Sequence, residues 1–296
     1  MNKGIILIWP KHNDFKNIML EELNEKNYKI IEVNYIDVNK NYITNLLREI
    51  HYGKEWWREN LLKEVEKRLC TNETQRLIYL IVESENIHLN FKKFKKYVRE
   101  KYNLDKSYFH LCDPDCKNHL GLNCNCPTDK EEFKFEYDKH IHYIKNKNAI
   151  HFLNNSIYKE DYNFYKYFTT YKIIVEYNKL NTDRFCIDNG GILAAYGIRD
   201  THDLDYLTTT KMIFDKYNVG CENENHKVEY ERLGYSIENI INDEENYFYH
   251  FNMKFMSIDI LKNFKYNRTH TIGTGHKEIR QKDINDFNLM IETNYI

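Results

Sequence analysis

The chain has 296 residues, 42% of them hydrophobic and 30% charged, with a net charge of −2. That length can bury the cores of two ordinary domains, and the charge balance excludes a chain that coats nucleic acid or a membrane surface through its overall charge. No apolar run approaches the length of a bilayer span, and 25 Tyr against 10 Gly and 3 Pro is a bias of composition that carries no function by itself.

Gly4 to Trp9 is a β-branched apolar run that predicts a buried strand, and Asp14 to Glu25 follows with helical spacing through Phe15, Ile18, Met19 and Leu23. The apolar run ends at Pro10 instead of a small-residue cleavage site, so no secretory leader is expected and the expected location is cytoplasmic. The seven cysteines are then expected as thiols or metal ligands. Tyr28 to Tyr35 alternates as a second strand, and strand, helix, strand suggests an α/β unit. Asn41 to His51 and Glu55 to Leu69 predict two helices, the second opened by Trp56-Trp57 as core anchors. Arg76 to Glu83 is the strongest buried-strand signal of this half. Asn90 to Tyr102 is a lysine-rich amphipathic helix whose charges are most simply a solvated face.

From Phe109 the texture changes. Cys112, Cys116, Cys124 and Cys126 are spaced C-x3-C-x7-C-x-C, which can present four thiolates to one structural zinc or leave free thiols in an inserted loop. Lys139 to Tyr143 reads as a strand that places His140 and His142 on one side. Asn148 to Tyr158 is expected as a helix or turn closing the first domain. Asp161 to Lys179 predicts a long aromatic helix that opens the second.

In that second half, Arg184 to Ile187 reads as a short strand, and Gly190-Gly191 starts a helix through Ile192, Leu193 and Tyr196. Glycines at such a junction let a phosphate approach backbone N–H groups. Asp203 and Asp205 lie two apart in an extended segment, so both carboxylates share a face while Leu204 points to the core. Paired carboxylates repel unless a cation neutralises them, which suits Mg2+ bridging the phosphates of a nucleoside triphosphate. An Asp-x-Asp in a turn-to-strand segment also arises by chance.

Gly190, Gly191, Arg199, Asp203 and Asp205 together resemble the nucleotidyltransferase superfamily of the DNA polymerase β type, closest to its minimal and AbiEii-like branches. Phe255 to Arg268 followed by Lys282-Asp283-Ile284-Asn285-Asp286 is similar to the family's closing pattern, so the resemblance covers about Thr182 to Met290. With the strand–helix–strand start, the chain is expected to be α/β (α+β), with an accessory or substrate domain over 1–160 that carries a Cys-rich insertion at 110–127; the resemblance implies that 161–296 is a nucleotidyltransferase-fold domain with a short mixed sheet and C-terminal helices. It also implies an enzyme that transfers a nucleoside monophosphate from a nucleoside triphosphate to a small-molecule or glycan-precursor acceptor. Asp203, Asp205 and a third carboxylate would hold two Mg2+ ions, and Gly190, Gly191, Arg199, Lys262 and Lys282 would receive the triphosphate. The third carboxylate is expected at Glu229, on a strand, with Asp259 as the alternative. Two other readings stay open: a toxin-like enzyme of the same kind that modifies tRNA or protein, using the lysines of 90–106 as a basic groove, and a non-catalytic nucleotide-binding or regulatory protein.

Overall fold

The computed structural model describes residues 2–52, 56–69, 75–113, 129–210, 221–222, 224–270 and 280–293, and of 56–59 and 270 the backbone alone. The fold is α+β, with two four-stranded sheets and helices around them. The chain divides into two compact units, Met1–Lys145 and Asn146–Ile296.

In the first unit the apolar run forms β1 (Lys3–Ile8), and Ile5 to Ile8 are completely buried. It is followed by α1 (Lys16–Glu25), β2 (Lys29–Val38), α2 (Lys40–Ile50), α3 (Trp56–Glu66) and β3 (Gln75–Glu83). The predicted strand–helix–strand start is present, but β1 and β2 are not neighbours. Each pairs antiparallel with β3, and the sheet order is β2-β3-β1-β4, with β4 at Phe109–Leu111. The lysine-rich helix is α4 (Ile87–Lys101), which buries Ile87, Phe91, Phe94 and Val98. Part of its basic face is already taken: Lys95 pairs with Asp113 and Lys101 with Glu22 at 2.5 Å. The Trp56 and Trp57 side chains lie outside the described residues.

The strand expected at Lys139 to Tyr143 is instead part of helix α5 (Lys130–Lys145). Phe133, Tyr137, His140 and Ile144 recur at three- and four-residue spacing and are all buried, and this period overrides the short alternation of His-Ile-His. Two positions apart on a helix do not share a face. Even so, His142 is also buried, and His140 Nε2 lies 3.0 Å from His110 Nε2.

The second unit begins before the predicted boundary at 160/161, because α6 (Lys147–Asn155) belongs to it. The Asn146 and Asn148 side chains donate to the carbonyls of Glu244 and Glu245, and Phe152 stacks on Phe248 at 4.4 Å. Next come α7 (Asn163–Tyr177), β5 (Phe185–Ile187), α8 (Gly190–Tyr196) and β6 (Tyr206–Thr208). They are followed by α9 (Lys227–Arg232), α10 (Ile237–Asn242), β7 (Tyr247–His250), β8 (Met253–Met256), α11 (Ile258–His270) and α12 (Gln281–Glu292). The sheet is short and mixed, in the order β6-β5-β8-β7: β5 runs antiparallel to β6 and parallel to β8. Phe164 and Phe168 of α7 pack edge-on against Phe255 of β8, closing one face of the sheet. Among the described residues, no helix is long and apolar enough to cross a membrane.

Candidate metal centre

The candidate site gathers where β5 ends and β6 begins. Asp188 follows β5 directly, and its N–H donates to the carbonyl of Asp205 (3.1 Å), which ties the two strand ends together. The chain then turns sharply at Asn189, whose φ of 46° and ψ of −121° lie in a region that L-residues rarely adopt. Helix α8 starts at once, and all seven of its residues are buried.

The glycine pair has a packing reason. A Cβ on Gly190 would lie 2.5 Å from Thr201 Oγ1 and 3.4 Å from Asp203 Oδ1, and one on Gly191 would lie 2.6 Å from Ile187 Cγ2. Gly190 therefore lets the Thr201–Asp203 segment press onto the helix start, and Gly191 lets that start press back onto β5.

Asp203 and Asp205 sit in the extended approach to β6 with Leu204 completely buried between them, as the two-residue spacing predicts. The Thr201 hydroxyl donates to Asp203 Oδ1, and Lys282 Nζ lies 3.4 Å from Asp203 Oδ2. Burial alone would raise the Asp203 pKa, but the Thr201 hydroxyl and the Lys282 ammonium outweigh it and hold it below the ordinary value. Asp205 behaves oppositely. Burial, and then the charge of Asp188, push its carboxyl well above the usual carboxylate range.

Asp188 is fully buried. One oxygen, Oδ2, lies 3.1 Å from His226 Nδ1, while Oδ1 has no hydrogen-bond partner among the described residues. The His226 side chain is only 13% exposed, so its charge state is set by its neighbours. The Asn189 amide also lies 2.6 Å from Nδ1. Its Nε2 lies 3.8 Å from Asp205 Oδ2, 3.7 Å from Glu224 and 3.9 Å from Glu229. Burial would lower the His226 pKa, but Asp188, Asp205 and Glu229 together raise it to about 9. Single ligand atoms of Asp188, Asp205 and His226 all lie within 4.8 Å of one another.

Glu229 is not on a strand but in the first turn of α9. The alternation of Lys227-Val228-Glu229-Tyr230 lasts only four residues. It gives way to a helix in which Tyr230 is buried and stacks on Phe264 at 3.8 Å, while Val228 is largely exposed. The Glu229 carboxylate faces His226 and Arg268 (3.6 Å), on the far side of the imidazole from Asp188. Asp259 is exposed in the first turn of α11.

Of the predicted basic residues, Lys282 reaches the carboxylates, and Lys262 is half-buried on α11 one turn before Lys265. Arg199 is held by Asp286, with Nε to Oδ1 at 2.6 Å and Nη2 to Oδ2 at 2.9 Å. Lys265 lies 2.5 Å from Asp283 and 3.3 Å from Asp286, and Arg268 lies 3.3 Å from Asp283. The Lys-Asp-x-x-Asp pattern is thus a buried ionic clamp that fastens α12 to α11 and to the Arg199 loop, leaving Lys282 at its edge.

Of the four clustered cysteines, Cys112 is completely buried, and its sulfur accepts the Ile5 N–H at 3.0 Å. Burial holds its thiol strongly protonated. Cys116, Cys124 and Cys126 lie outside the described residues. Asp188 and His226 are the members of the site that the sequence reading passes over. Asp188 had a signal, as the polar residue between a strand and the glycine pair, whereas nothing local marks His226. In comparisons with protein-family models and with curated proteins, nothing matches this chain.

Proposed function

We propose that the second unit is a metal-dependent nucleotidyltransferase. The observation that carries this reading is the grouping of Asp203, Asp205 and the buried Asp188 at the junction of β5, α8 and β6, with Lys282 beside Asp203. The resemblance of the Gly-Gly and Asp-x-Asp segments supplies the reaction class. The donor set fits a divalent cation: Asp188, Asp205 and His226 bring single ligand atoms within 4.8 Å of one another, Asp203 lies in the same extended segment as Asp205, and one oxygen of the buried Asp188 has no partner among the described residues. Burial, and then the Asp188 charge, raise the Asp205 carboxyl and so disfavour two bare carboxylates there.

A bound Mg2+ would supply Lewis-acid stabilisation of charge on the phosphate oxygens of a nucleoside triphosphate. Asp203, Asp205 and Asp188 would hold it. Thr201 positions Asp203 by donating to one oxygen and leaving the other to Lys282 and the ion. Lys282, 58% exposed, is free to swing from Asp203 to a phosphate and offset its charge. Arg199, engaged by Asp286, positions the loop that carries Asp203. The acceptor would be a small molecule or glycan precursor whose hydroxyl or phosphate displaces pyrophosphate.

The test is incubation of the full chain with each labelled nucleoside triphosphate, Mg2+ and a panel of acceptors, with pyrophosphate release as readout. Release that disappears in the Asp203→Ala/Asp205→Ala double variant supports the reading. A second reading, nucleotide binding without turnover, is favoured by Glu229 lying against His226 and Arg268 instead of beside Asp203. It predicts saturable nucleotide binding with no pyrophosphate from any acceptor. Absence of both binding and release refutes the two readings together.

A further inference from the structure

Asp188, Asp205 and His226 differ in kind from a purely acidic cation site. A carboxylate that is completely buried and keeps one oxygen, Oδ1, without a hydrogen-bond partner among the described residues is costly unless something else meets it. His226 does not meet it: its Nδ1 is engaged by the other oxygen, Oδ2, at 3.1 Å. The imidazole's second nitrogen is turned toward Asp205, at 3.8 Å. The ring is fixed from several sides, by Asp188 and Asn189 at Nδ1 and by the short turn into α9. One donor atom from each of the three residues falls within 4.8 Å of the others. Three ligands about 2.0–2.2 Å from a common ion can stand at most about 3.5–3.8 Å from one another, so closing by about 1 Å at most brings all three onto one metal.

We infer that Asp188, Asp205 and His226 form a site for a divalent first-row transition-metal ion, with an imidazole nitrogen of His226 as a direct ligand and with preference over Mg2+. The inference rests on the metal half of the proposed function and adds a nitrogen ligand that the acidic pair alone does not imply. Its chemical ground is that carboxylate and water suit Mg2+, while an imidazole shifts a mixed site toward Mn2+, Fe2+, Co2+ or Zn2+. Asp188 contributes twice. Its Oδ2 lies 3.1 Å from Nδ1, a separation that two adjacent ligands of one ion can have, and its Oδ1 is a buried oxygen without a partner among the described residues.

The test uses the full chain without nucleotide. Mn2+ is the probe because it binds thiolates weakly, so the cysteines compete little. Mn2+ and Mg2+ affinities are measured by calorimetry, and the bound Mn2+ is examined by pulsed electron paramagnetic resonance for coupling to nitrogen. The expected result is Mn2+ binding at least about 10-fold tighter than Mg2+, with nitrogen coupling that vanishes in His226→Gln. In that variant Mn2+ affinity falls about 10- to 100-fold while Mg2+ affinity changes much less. If His226→Gln does not fold, Asp188→Asn serves in its place, and Mn2+ affinity should fall by a similar factor. Mn2+ bound without nitrogen coupling, or nitrogen coupling that persists in His226→Gln, overturns the inference. So does equal affinity for the two ions. Each of these leaves the nucleotidyltransferase reading standing if Mg2+-dependent pyrophosphate release is found. Binding of neither ion also overturns the inference, and the proposed function falls with it only if pyrophosphate release is absent too.

Discussion

Replacing Asp286 by Asn should be the most damaging single change in the second unit outside the candidate site. The Asp286 carboxylate is almost completely buried and accepts two bonds from Arg199, at 2.6 and 2.9 Å, with Lys265 at 3.3 Å. Around it three acids, Glu229, Asp283 and Asp286, meet three bases, Arg199, Lys265 and Arg268. Removing one acid leaves an uncompensated positive charge among side chains that water scarcely reaches. Breaking a buried pair in this way costs about 3–5 kcal/mol. At roughly 2–4 °C per kcal/mol for a unit of this size, the melting temperature should fall by about 6–20 °C. The pH dependence gives a second readout. Burial would raise the Asp286 pKa, but Arg199 and Lys265 hold it below its ordinary 3.8. A depressed carboxylate contributes stability that is complete above the unfolded pKa and is lost as pH falls through the folded one. The parent should therefore lose stability below about pH 4, and Asp286→Asn should lose less over that interval because its deficit is already present at neutral pH. Urea denaturation at pH 7 and at pH 3 measures both. A neutral-pH loss under about 1 kcal/mol, with an unchanged acid limb, would refute the clamp.

Gly190→Ala should cost about 1–3 kcal/mol, because its Cβ would press on Thr201, a side chain only 2% exposed with little room to retreat. Adding Thr201→Ala should recover part of that stability, and thermal melts of the single and double variants would show it. Asn189→Ala should lose about 1 kcal/mol through its positive φ, whereas Asn189→Gly should be close to neutral; similar losses for both would place the cost in the contact with His226. Lys282→Ala should weaken nucleoside triphosphate affinity without changing the melting temperature by more than a degree or two, since the side chain is 58% exposed. Equilibrium binding and a melt on the same preparation test both halves of that statement.

The elements that repeat one period over many residues were legible from sequence: β1 as a continuous apolar run, α4 and α7 as long amphipathic or aromatic patterns, and β5 with α8 as a strand meeting two glycines. The misreadings were local. Lys139 to Tyr143 and Lys227 to Tyr230 each show an alternation too short to distinguish period 2 from period 3.6, and burial decides for helix: Phe133 and Tyr137 lie within two turns before His140 in the first, and Tyr230 stacks on Phe264 in the second. The domain boundary shifted because α6 is held by Phe248 and by the carbonyls of Glu244 and Glu245, contacts across about a hundred residues that leave no trace in local composition.

The site follows the same logic. Asp203, Asp205 and the glycines were legible because one short segment carries their geometry, whereas His226 reaches Asp188 only through the folding of α9 onto the sheet edge. Most instructive is the closing pattern. Read as a sequence, Arg199 and the Lys-Asp-x-x-Asp segment look like two separate supplies of charge for a triphosphate. In the fold, Arg199 is the partner of Asp286, and the two patterns are halves of one clamp. That pairing gives a physical reason for them to occur together in a chain. The loop bearing Asp203 leaves helix α8 just before Arg199, and the grip of α12 on that arginine helps to hold Lys282 within reach of Asp203. The clamp therefore belongs to the site as its positioning frame, and it predicts that Arg199→Lys, which keeps the charge but loses the two-point grip, should impair pyrophosphate release more than Lys262→Ala does.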